Sequence, residues 1–166
     1  MTLTMPEDLR SALSELGFDF PDSDEDKLNE MGQAWLGFAG TLRSLLTEAE
    51  KHASAVWTGN KGEAITAFQN SWSGPQAPLA NLRDAADAAA AIGAAFAIAA
   101  HAVTVLKMAV IAEVGAFVRT CAMAARAART GWGAVAAVAI IIGARILAQN
   151  AIEAAFEVAV KALEDG

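Results

Sequence analysis

Trp57-Thr58-Gly59 interrupts two helical patterns at the point where the chain has to reverse, and so limits the first half of the sequence to an antiparallel helical hairpin. Ahead of it, apolar residues fall at Leu28, Met31, Trp35, Phe38, Leu42, Leu45, Ala49 and Val56, mostly in steps of three and four that repeat one helix face. After it, Asn60-Lys61-Gly62-Glu63 reads as a helix start. Asn60 is placed to accept from a free N–H of the first turn, and Glu63 to reach back to the cap. Ile65, Phe68 and Trp72 carry the stripe onward.

A short helix is predicted before the hairpin, over Glu7 to Leu16, with Leu9, Ala12, Leu13 and Leu16 apolar and Gly17 closing it. Phe18-Asp19-Phe20-Pro21 is an extended connector, because the residue before a proline is pushed out of α geometry. Ser23-Asp24-Glu25-Asp26 supplies a cap and an acidic first turn for a helix expected to run to about Ala55. The second hairpin helix is expected to end near Trp72, before the breakers Ser73-Gly74-Pro75, and Pro78 suits the first turn of the next helix. That helix is long, with a stripe of Leu79, Leu82, Ala86, Ala89, Ile92, Phe96, Ala99, Val103, Leu106, Val110, Val114 and Phe117. Gly131-Trp132-Gly133 is the next expected break, and Val135, Val138, Ile142, Ile146, Ile152, Phe156, Val160 and Leu163 mark a final helix.

Alanine, the strongest helix former, dominates from Ala85 onward, and no segment alternates apolar and polar residues as a half-buried strand does. The expected fold is all-α: an elongated helical bundle of about four main helices built on the hairpin, as one domain over residues 1–166. Gly93, Gly115 and Gly143 imply close helix approach.

The net charge of −7 is unevenly placed. Residues 7–30 hold nine acids against Arg10 and Lys27, whereas Val114 to Ile152 carries Arg119, Arg126, Arg129 and Arg145 and no acid. The two regions can attract each other within a bundle, or the arginines can meet anionic lipid. Four spread arginines without interleaved aromatics do not make a nucleic-acid surface.

Catalytic constellations are not found. His52 and His101 are the only histidines and lie on different predicted helices, without the acid or cysteine spacing of a metal site. Cys121 is the single cysteine and reads as a small buried thiol. Glu113 falls on or beside the apolar stripe, where pairing with an arginine is expected and a proton-sensitive role is the alternative. No nucleophile–base pair, metal cluster or phosphate loop supports an enzyme, so no catalytic residue, metal or cofactor is assigned. The first residues, acidic and interrupted by Pro6, lack the basic start and apolar run of a secretory signal, so any export is expected to use another route.

Two windows approach the length of a membrane span: Ala88 to Leu106, and Ala134 to Ala144 ahead of Arg145. Alanine-rich composition favours buried central helices. The alternative is a hairpin of Ile92 to Leu106 and Trp132 to Leu147 that inserts in a membrane and helps a toxin translocate or form a pore.

The hairpin with its Trp-x-Gly turn at Trp57 and Gly59 resembles the Trp-x-Gly (WXG) superfamily of type VII secretion substrates. Phe20-Pro21 with the acidic cap, Leu28, Ala34-Trp35, Gly59 to Ala64, Phe68, Trp72 and His101-Ala102-Val103 are similar to the N-terminal domain of actinobacterial polymorphic toxins. The resemblance covers residues 17–119, leaving 120–166 as apolar C-terminal helices packing on that part. It implies a non-enzymatic targeting or delivery module with any toxic enzyme further along the chain. Implied partners are a small WXG-like helical protein or a second copy, and the type VII machinery. The module would be cytoplasmic before export and then secreted or held at the cell surface. Trp57 and Gly59 carry over to the turn motif; Trp72 and Gly74 form a second Trp-x-Gly match, which its place before Pro75 marks as a helix end. The superfamily's export signal, a tyrosine followed four positions later by an acid, has no counterpart, because the sequence contains no tyrosine.

Overall fold

The computed structural model describes residues 2–129 and 133–164, and these form five α-helices: α1 (Glu7–Leu16), α2 (Glu25–Gly59), α3 (Glu63–Ser73), α4 (Pro78–Ala127) and α5 (Gly133–Glu164). The all-α expectation holds for the described residues. Gly131 and Trp132, on which the expected break before the last helix falls, lie outside them. The chain divides into two compact units, Met1–Lys27 with Ile98–Gly166 and Leu28–Ala97. This division cuts α2 and α4 and does not fall at residue 119, where the sequence reading ends the WXG-like part.

In the unit of residues 28–97, α2 and α4 pack antiparallel with α3 between them in sequence. The inward positions of α2 are Leu28, Gly32, Trp35, Ala39, Leu42, Leu46, Ala49 and Ala53, and those of α4 are Leu79, Leu82, Ala86, Ala89, Gly93 and Phe96. Both series step by four and three, the seven-residue repeat of coiled-coil packing. The seam is narrow at Gly32 and Gly93: a Cβ on Gly93 would sit 2.9 Å from the Gly32 carbonyl oxygen and 2.8 Å from Leu36 Cγ. Arg43–Asp87 (2.8 Å) and Arg83–Glu50 (2.5 Å) flank it as exposed ion pairs, each contributing only a few tenths of a kcal/mol to about 1 kcal/mol.

The expected α2 stripe is therefore half right. Leu28, Trp35, Leu42 and Ala49 face inward, but Met31, Phe38, Leu45 and Val56 are exposed. The second inward row is Gly32, Ala39, Leu46 and Ala53, mostly small because α4 comes close, and a reading guided by side-chain size selects the bulky neighbour instead.

In the other unit, α1 lies on the pair formed by α4 and α5. Met5, Leu13, Leu16, Leu106, Val110, Val114 and Ile152 are its buried large apolar side chains, with Phe18 stacked on Phe156 at 6.4 Å. Gly17 ends α1 with φ +91°, which lets its N–H and that of Phe18 return to Ser14 and Leu13 carbonyls. Arg145 and Gln149 of α5 donate to the carbonyls of Glu15 and Leu16, each at 2.8 Å, and so satisfy the last turn of α1.

The α5 stripe needs the larger correction. Ile152 is buried and Phe156 half-buried as expected, but Val135, Val138, Ile142, Ile146, Val160 and Leu163 are exposed, while Ala137, Ala148 and Ala159 face inward. The inward positions of α5 are thus taken largely by small alanines, and the bulkier row lies on the exposed face. Of the three glycines expected at close approaches, only Gly93 is at one. A Cβ on Gly143 would meet nothing, and one on Gly115 only the end of the Arg119 side chain.

Candidate functional site

The helical-hairpin turn differs from the expectation in its details. α2 does not stop near Ala55 but continues through Trp57-Thr58-Gly59, and the reversal falls on Asn60-Lys61-Gly62. Asn60 does not cap α3. Its side-chain amide donates to the Val56 carbonyl at 2.8 Å and closes α2 instead. The N-cap of α3 is Gly62, at φ +129° and ψ 166°, a conformation that only glycine adopts readily. Its carbonyl accepts from the Ile65 and Thr66 N–H groups at 3.1 Å. Gly59, in contrast, has no positive φ, and a Cβ there would meet nothing.

Trp57 packs in the last turn of α2 against Phe68 of α3, ring centroids 5.9 Å apart, and Phe68 packs against Trp72 one turn on at 5.8 Å. These aromatic contacts hold α2 and α3 together across the turn, each worth about 0.5–1.5 kcal/mol beyond burial. Trp57, Trp72 and Gly74 also line one cleft of about 570 Å³, with Lys51, Arg83 and Glu50 on its walls. The structure thus brings both Trp-x-Gly matches to one site, except for Gly59, which does not line it. Gly74 ends α3 in an extended conformation, φ −68° and ψ 155°, and its added Cβ would make only ordinary contacts, so neither motif glycine is sterically required.

A second site was missed from the sequence. Lys107, the residue that follows the apolar window Ala88 to Leu106, is 2% exposed in the core. Its ammonium donates to Glu25 Oε2 at 2.7 Å and to the Ser23 carbonyl at 2.5 Å, and lies 5.7 Å from the centre of the Phe20 ring. Glu25 also accepts from the Leu3 N–H, so one ion pair ties the N-terminal segment, the connector and the start of α2 to α4. Burial alone would raise the Glu25 carboxyl, but the bonds from Lys107 and Leu3 outweigh it and hold the group below its usual range. The signal was the spacing: the inward positions of α4 run Ala100, Val103, Lys107, Val110, Val114, and the step of four from Val103 lands on the lysine, next to the buried Leu106.

The remaining candidates fall outside both sites. His52 and His101 are exposed. Cys121 is half-buried, and burial together with the negative charge of Glu15 pushes its thiol up, away from the reactive thiolate. Glu113 makes no ion pair with an arginine among the described residues. It is half-buried and lines an open groove with Phe117, Thr120, Ile140 and Ala144. The described residues hold no group of three His, Cys, Asp or Glu side chains placed to bind a metal.

Comparisons with curated proteins and with solved structures each returned no match. The model of one family, described as a WXG100 like domain, matches residues 5–152, a wider span than the 17–119 of the resemblance. With nearly the whole described chain inside that match, from Met5 beside α1 to Ile152 in the core of α5, the protein belongs to the WXG100-like family.

Proposed function

We propose that this chain is a non-enzymatic helical module, exported by or delivering cargo to a type VII secretion system, that acts by binding a helical partner. One observation carries the interaction reading. Met31, Phe38 and Leu45 form a row of bulky apolar residues, one every seven positions on α2, each about half exposed, with Trp35 packed edge-on against Phe38 at 6.1 Å. That is the spacing at which a second helix inserts its own apolar side chains. Membership of the WXG100-like family and the cleft holding Trp57 and Trp72 support the secretion part of the reading. The partner is a small helical WXG-like protein or a second copy of this chain, and residues 1–166 serve as one module. A longer polymorphic toxin is the cargo this reading favours, with the exported module secreted or displayed at the surface.

Co-expression of the tagged chain with the small helical proteins encoded beside it tests the binding step. A stoichiometric complex, or a homodimer, that survives purification is expected, and Phe38→Asp with Leu45→Asp abolishes it while leaving the helical circular-dichroism signal intact. A parent chain that is monomeric alone and beside those proteins contradicts the reading, as does a complex indifferent to the two aspartates.

A further inference from the structure

The core that α1 shares with α4 and α5 ends at Val118 on α4 and at Ala148 on α5. Between those residues and the far end of the helix pair, only Ala124 and Ala137 are buried among the described residues. Most of the bulky apolar side chains there point outward. Met123, Val138, Ile142 and Ile146 are more than half exposed, Leu147 is 71% exposed and Val135 83%. The most apolar 18-residue window of α5 has mean hydropathy 1.9, yet only 17% of it is buried within the protein. Monomeric proteins rarely leave so continuous an apolar surface to water.

The same end is cationic. Arg119, Arg126 and Arg129 are exposed, none is in an ion pair among the described residues, and the sequence has no acid between Val114 and Ile152. Any occupant has to offer fixed negative charge over an apolar layer. A second copy meeting this end with its own end would oppose arginines to arginines. Nucleic acid offers the charge without the apolar layer. A bilayer of anionic lipid offers both, phosphates at the depth of the guanidinium groups and acyl chains just beneath.

We propose that the end of the α4–α5 pair, residues 119–129 with 133–147, docks on an anionic lipid bilayer. Arg119, Arg126 and Arg129 bind headgroup phosphates, while Met123, Val135, Val138 and Ile142 enter the acyl boundary. The surface shares no residue with the α2 row or the Trp57 cleft, so this inference does not depend on the proposed secretion role.

The test is co-sedimentation of the intact chain with vesicles of phosphatidylcholine alone and of phosphatidylcholine with phosphatidylglycerol. Binding to the anionic vesicles only, weakened by salt, is expected. Changing Arg119, Arg126 and Arg129 together to Gln should lower the partition coefficient roughly 100-fold at low salt, at about fivefold per arginine. Val138→Asp with Ile142→Asp should remove binding without loss of helicity, since both side chains are outside the core, while Phe38→Asp leaves it unchanged. The proposal is overturned by absence of binding to anionic vesicles, by equal binding to neutral ones, or by binding indifferent to the arginines. It is equally overturned if the two aspartates dissolve a dimer of a chain that ignores vesicles, because the face then lies between copies.

Discussion

Lys107 and Glu25 show how much one residue pair decides here. A lysine at an inward position is tolerated only because a carboxylate, a carbonyl and an aromatic face meet its ammonium, and removing one partner leaves a buried charge. Glu25→Ala should cost about 3–5 kcal/mol in denaturant unfolding, whereas Glu25→Leu combined with Lys107→Met should cost far less, since an apolar pair of similar volume needs no counter-charge. The pH dependence follows from the depressed Glu25 carboxyl. Its contribution is complete above the ordinary glutamate value of 4.5 and is lost as the pH falls through the lower folded value, so acid titration should destabilise the parent more than that double variant, which has no carboxyl to protonate there. An identical acid profile for the two proteins would exclude the pair as the source. The sequence held this site in its spacing but hid it in its chemistry, because hydropathy excludes lysine from a core and only the partners on other segments readmit it.

Among the elements, glycine separates what the turn needs from what its motif contains. Gly62→Ala forces a side chain into φ +129° and should lower stability by about 1 kcal/mol or more. Gly59→Ala, in the last turn of α2 with open space around it, should leave the melting temperature unchanged or slightly raised. Gly93→Ala drives a Cβ against the Gly32 carbonyl and should cost about 1–3 kcal/mol, read as a shift in the unfolding midpoint. Helix identity and most inward positions of α4 were legible in the sequence, since long apolar repeats without proline leave few alternatives. Which face of α2 and α5 turns inward was not. Bulk and burial usually coincide, but here Gly32, Ala39, Ala137 and Ala148 face inward, and the bulky row beside them is exposed.

At the scale of the whole molecule, the chain presents three surfaces with no residue in common: the α2 row at Met31, Phe38 and Leu45, the cleft between Trp57 and Trp72, and the arginine-bearing end of α4 and α5. The Trp-x-Gly tripeptide was legible at once because the apolar stripes of two helices stop and restart around it, although α2 runs through it and the reversal falls on Asn60 to Gly62. That the second tripeptide shares its cleft was not, since Trp57 and Trp72 meet only through Phe68 and the reversal at Gly62. The proposed role makes the cleft a recognition surface for export and not only a clasp for the turn. The most direct measurement is the exported fraction of the chain in the cells that encode it, with the type VII machinery intact and inactivated, for the parent and for Trp57→Leu and Trp72→Leu variants shown to be folded at the growth temperature. Export that requires the machinery and drops at least tenfold in both folded variants is predicted. Export that persists without the machinery, or that is indifferent to both tryptophans, would contradict it.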